Sequence, residues 1–73
     1  MEDKILDIIN YIRISKSLEP LQKILPTDNL RNDIGFTSFD LAELTVRVED
    51  QFDIDIFENG LVATIGEIYD KLR

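Results

Sequence analysis

Apolar residues recur at helical spacing in three separate stretches of this 73-residue chain, and no pair of segments reads as strands that could partner each other. Ile5, Ile8, Ile9 and Ile12 fall at i, i+3, i+4 and i+7, with Leu6 and Tyr11 widening the stripe. Leu41, Leu44, Val48 and Phe52 repeat at i, i+3, i+7 and i+11, and Ile65, Ile68, Tyr69 and Leu72 close the chain in the same manner. The first stripe predicts a helix over roughly residues 3 to 15 with Asp3 as N-cap. Pro20 disfavours helical geometry at Glu19 and so sets its outer limit. Thr37 or Ser38 opens the second helix, where Asp40 lies three residues past Thr37 in the arrangement of a capping box. Thr64 with Glu67 is a Thr-x-x-Glu box that opens the last helix, and Lys71 and Arg73 suit its negative end.

The intervening segments carry turn chemistry. Leu21, Ile24 and Leu25 predict a short helical turn, and Pro26-Thr27-Asp28-Asn29 a reversal. Leu30 and Ile34 are the apolar pins expected to tie the long connection to the core. Ile54 and Ile56 alternate with Asp53 and Asp55, which we read as a loop with inward isoleucines, since a lone strand has nothing to pair with. Asn59-Gly60 signals a turn, and Leu61-Val62 predict a short extra helix. The expected fold is all-α: a small bundle of three main helices plus one short helix, in a single domain spanning residues 1–73.

Composition excludes several functions. The chain has no cysteine, histidine or tryptophan, so disulfides, thiolate metal sites and the commonest general acid–base group are absent. No apolar run reaches the roughly 18 residues that span a bilayer. Met1-Glu2-Asp3-Lys4 lacks the basic region of a signal peptide, and the expectation is a soluble cytoplasmic protein, a monomer without membrane insertion. Net charge is −7, unevenly placed: residues 1–37 hold six acids against five bases, residues 38–73 nine acids against three. Such a surface repels nucleic acid and favours basic protein partners. Asp53-Ile54-Asp55 and Glu58 invite comparison with a calcium loop, but Phe57 and Glu58 stand where that loop needs an oxygen ligand and glycine.

The stretch Asp33-Ile34-Gly35-Phe36-Thr37-Ser38-Phe39-Asp40-Leu41-Ala42-Glu43-Leu44 carries the functional signal. Gly35 lets the chain turn sharply into the second helix, and Ser38 sits where free N–H groups and the positive dipole end favour an anion. The stretch resembles the attachment region of acyl carrier proteins, Asp-Leu-Gly-x-Asp-Ser-Leu-Asp followed by Val/Leu-x-Glu-Leu. The resemblance continues through Glu49, Phe52, Ile56 and Thr64-Ile65, and fades in the first helix. It implies an acyl-carrier-protein-like fold that is not an enzyme. Ser38 would carry 4'-phosphopantetheine, received from coenzyme A, whose thiol bears acyl or aminoacyl intermediates as thioesters.

The implied partners are a phosphopantetheinyl transferase and loading and processing enzymes with basic docking patches. By matching position, docking falls to Phe39, Asp40, Ala42, Glu43, Val46, Glu49 and Asp50. Leu41, Leu44, Thr45, Val48 and Ile65 are the positions that would line an acyl pocket, or simply the core. Two residues depart from the pattern: Thr37 replaces an aspartate, leaving the loading transferase open, and Phe39 replaces a leucine. Arg47 either repels a basic partner or pairs locally with Glu43 at i, i+4. The alternative from another class is an acidic helical interaction module that is never modified.

Overall fold

The protein is described from a computed structural model, over residues 2–58 and 60–73. Among the described residues three helices form: α1 (Glu2–Ser15), α2 (Ser38–Phe52) and α3 (Ile65–Leu72). The apolar stripes face one another. Ile5, Ile9 and Ile12 of α1, Leu41, Leu44 and Val48 of α2, and Ile65, Ile68 and Tyr69 of α3 are all buried. Phe52 and Leu72, the last members of their stripes, pack against this core while remaining half-exposed.

Both capping boxes are present, at Thr37/Asp40 and at Thr64/Glu67. Asp3 is not a cap: α1 already includes Glu2, so Asp3 lies in the first turn, where an acid still complements the dipole. The end of α1 has Ser17 in left-handed geometry (φ 66°), with Leu18 N–H donating to Arg13 C=O and Ser17 N–H to Ile14 C=O. This is the Schellman pattern, here without glycine.

The connections differ from the expectation in two places. Residues 21–25 form no helical turn; Leu21 and Ile24 pack against the core and Leu25 is exposed. Asn10 explains why, because its side chain donates to Leu21 C=O (2.8 Å) and accepts from Leu21 N–H (2.7 Å), satisfying the backbone without a helix. The short helix expected at Leu61-Val62 is also absent among the described residues. Val62 is buried in a segment without regular structure and Leu61 is 89% exposed. The N–H of Leu30 donates to Ala63 C=O and that of Ile65 to Asp28 C=O, an antiparallel bridge centred on Asn29 and Thr64 that ties the end of this strip to the loop before Ser38. Asn59, half of the predicted turn, lies outside the described residues. Gly66 allows close approach, since a Cβ there would stand 3.0 Å from the Pro26 carbonyl that accepts its N–H.

Leu30 and Ile34 are buried as expected, Ile56 is fully enclosed and Ile54 half so. Phe36 is buried too, a core member that no helical period flags.

Candidate functional site

Ser38 begins α2 and is exposed. Three sets of contacts bring it there. Gly35, at φ 86°, turns the chain; a Cβ would meet only ordinary contacts, so it is the dihedral that selects glycine. Asn29 then organises the loop in front of the helix. Its side-chain oxygen accepts the N–H groups of Arg31 and Asn32 (2.9 Å each), and its own N–H donates to Asp33 Oδ2 (2.7 Å). Finally α1 reaches across: Arg13 donates to the carbonyls of Glu19 and Ile34, and Lys16 to that of Gly35 (3.1 Å).

Lys16 also pairs with the Asp40 carboxylate, which caps Thr37 at 2.8 Å from its N–H. Asp40 is therefore a corrected expectation: it is 6% exposed and turned inward rather than displayed. Burial pushes its carboxyl pKa up, but the hydrogen bonds from Lys16 and from the backbone and hydroxyl of Thr37, with the Lys16 charge, outweigh this and hold it below 3.8. The helix start is thereby locked by a charge on α1, an element the local sequence pattern does not include. The amides of Ser38 and Phe39 precede Leu41, the first residue of α2 whose N–H finds an intrahelical acceptor (Thr37 C=O, 2.9 Å), and so lie at the open end of the helix.

Arg31 completes the site. Its Nη2 donates to Ser38 Oγ at 2.7 Å, and among the described residues it joins no salt bridge. Nothing in the helix-start pattern marks this residue, because it lies seven positions before the serine. Beside Arg31 and Leu41 opens a cleft of about 150 Å³, bordered also by Phe57, Leu61 and Val62. Of the five residues named for an acyl pocket, Leu41 alone borders it. Leu44, Val48 and Ile65 are closed within the core, and the Thr45 hydroxyl donates to Leu41 C=O.

Along α2, Phe39 is 80% and Val46 68% exposed, and Ala42, Glu49 and Asp50 are exposed as well. Glu43 is different. It is half-buried, accepting from Arg47 Nε at 2.8 Å, while the Arg47 guanidinium lies 4.1 Å from the Tyr11 ring centroid. Tyr11 is thus an exposed α1 residue engaged by a cation rather than part of the core stripe. A wider groove of about 510 Å³ between α1 and α2 runs past Ile8, Tyr11, Val46, Arg47 and Asp50, away from Ser38.

Comparison with known proteins fixes the class. A family model described as a phosphopantetheine attachment site matches residues 13–72, so this three-helix chain is a carrier of a covalent 4'-phosphopantetheine group, not an enzyme. Two curated relatives, both called acyl carrier protein, align along the whole chain. That of Syntrophus aciditrophicus (strain SB) is 32% identical over 75 aligned positions, covering 100% of this chain and 89% of the relative. That of Syntrophobacter fumaroxidans (strain DSM 10017 / MPOB) is 33% identical over 75 positions, covering 99% and 86%. The chain belongs to the acyl carrier protein family. No solved structure gives a significant match. Membership implies interaction with a phosphopantetheinyl transferase and with loading and processing enzymes. No helix among the described residues is long and apolar enough to cross a membrane.

Proposed function

We propose that Ser38 is the attachment residue and that residues 1–73 act as one carrier unit, a cytoplasmic monomer. The observation that carries this reading is an exposed serine hydroxyl at the open N-terminus of a capped helix, with a guanidinium already in contact with it. The residues present fit a phosphodiester: two outward amides, the positive end of α2 and Arg31 all favour an anion at this position. When bound, the arm supplies a thiol that holds acyl or aminoacyl cargo as a thioester. The chain's part is to present Ser38 Oγ outside the fold, to hold the loop steady, and to offer the apolar cleft beside Leu41 as shelter.

The other serines fit less well. The Ser15 hydroxyl is turned back onto Ile12 C=O (2.6 Å), and Ser17 occupies the left-handed helix cap. For docking, the reading retains Phe39, Ala42, Val46, Glu49 and Asp50, gives Glu43 a shared role because Arg47 holds it, and sets Asp40 aside as a buried cap. Exposed apolar groups supply contact energy, while the acids Glu49 and Asp50, in no salt bridge among the described residues, speed encounter with basic enzyme surfaces.

The test is intact mass after incubation with coenzyme A and a broad-specificity transferase, for the wild type and Ser38→Ala. Wild type should gain one phosphopantetheine, and the alanine variant, still folded because Thr37 remains the cap, should gain none. Modification at Ser15, Ser17 or Thr37, or none with several transferases, would refute the assignment.

A further inference from the structure

The guanidinium of Arg31 is placed by its backbone rather than by a carboxylate. Its N–H donates to Asn29 Oδ1, in a turn that Asn29 and Asp33 close from both sides. From that fixed base Nη2 reaches Ser38 Oγ at 2.7 Å. In a chain with 15 acids against 8 bases, an exposed arginine that settles on a hydroxyl, in no salt bridge among the described residues, keeps donors free beside that oxygen. Thr37 does not compete: it carries no charge, and its hydroxyl faces Asp40. Lys16 does not substitute, because its ammonium is taken by Asp40 and Gly35 C=O.

We propose that Arg31 is a phosphate-holding residue: once Ser38 Oγ is esterified, the Arg31 guanidinium donates to the non-bridging oxygens of the phosphodiester and fixes the root of the arm. This rests on the assignment of Ser38 above. The chemistry suits arginine, whose planar fork of donors matches two phosphate oxygens at once, whereas lysine presents a single point charge. Because Arg31 also borders the cleft shared with Leu41 and Leu61, a held phosphate aims the arm toward that cleft rather than into open solvent. Arg31 is a positioning residue; it takes no part in bond making.

The experiment uses protein loaded to completion with coenzyme A and excess transferase, with the site of modification verified by mass for wild type, Arg31→Gln and Arg31→Lys. Phosphorus NMR then reads the phosphodiester directly. The wild-type resonance should be shifted and broad, the Arg31→Gln resonance narrow and displaced toward that of free coenzyme-derived phosphodiester, and Arg31→Lys intermediate. Amide spectra of α1 and α3 should stay unchanged, which separates this outcome from a merely loosened fold. In wild type alone, the Arg31 side-chain nitrogen resonances should move on conversion from unmodified to modified protein. Identical phosphorus line and shift in wild type and Arg31→Gln, or Arg31 resonances indifferent to loading, would overturn the role of Arg31 while leaving Ser38 intact. Failure of Ser38 to take the group at all would overturn both.

Discussion

The pair formed by Lys16 and Asp40 joins the end of α1 to the cap of α2, and we predict that it is a principal fastening of the loop before Ser38. The Asp40 side chain is 8% exposed and that of Lys16 26%, so solvent screens the pair only in part. Hydrogen bonds to charged groups contribute about 1.5–3 kcal/mol, and the exposure of lysine lowers this to a coupling of about 1–2 kcal/mol. Lys16→Met keeps the apolar stem but also loses the bond to Gly35 C=O, for a total cost of about 2–3 kcal/mol. For a domain of this size that is a fall in melting temperature of roughly 10–20 °C. The assay is a double-mutant cycle of Lys16→Met, Asp40→Asn and the double variant, by thermal melts followed by circular dichroism.

Acid titration adds a second check with a definite sign. The carboxyl of Asp40 has a folded value below its ordinary 3.8, so the stability it contributes is fully present above that value and is lost as pH falls through the folded one. The wild-type advantage over Lys16→Met should therefore be full at neutral pH and shrink below about pH 3.8. A coupling under about 0.5 kcal/mol at neutral pH would mean an ordinary surface pair, and the clasp would be refuted. So would a difference that persists unchanged in acid.

Three further outcomes are expected. Asp53, left-handed at φ 61°, places a negative charge at the negative end of α2. Asp53→Asn should stabilise the domain by about 0.3–1 kcal/mol in denaturant titration, and a loss of stability would contradict this. Loading rates at two salt concentrations should fall most for Glu49→Lys and Asp50→Lys, less for Glu43→Lys because its charge is already paired with Arg47; equal rates at low salt would make the acidic face a solubilising surface only. Adding salt or magnesium should raise the melting temperature, since seven acids face one base between residues 38 and 58; a flat or falling midpoint would remove self-repulsion as a significant cost.

The three helices were legible because each carries its own period and its own opening box, both local in sequence. The placement of Ser38 at a helix start was legible for the same reason: Gly35, Ser38 and the Thr37/Asp40 cap lie within six residues of one another. What escaped was the long-range chemistry. The turn of Asp40 inward depends on Lys16, 24 residues earlier. The non-helical segment at Leu61-Val62 leads into a bridge of Ala63 and Ile65 with Leu30 and Asp28 across the chain, contacts that a local helical reading does not include. Phe36 is buried by the loop's own path rather than by any repeat, and Arg31 reaches Ser38 only after Asn29 has folded the loop.

Asn10, Arg13 and Lys16 stand three residues apart along one edge of α1, and between them they hold Leu21, Glu19, Ile34, Gly35 and Asp40. That edge makes the first helix a template for a loop it does not contain. A chimera that imports α1 from another carrier, keeping every core isoleucine but changing positions 10, 13 and 16, would still melt cooperatively as a helical protein. Its amides from Leu21 to Gly35 would exchange with water long before the core opened, and its serine would ride on a slack strap. Compatibility between halves of such proteins is thus decided along a polar edge, where matching the oily residues of two parents gives no guidance.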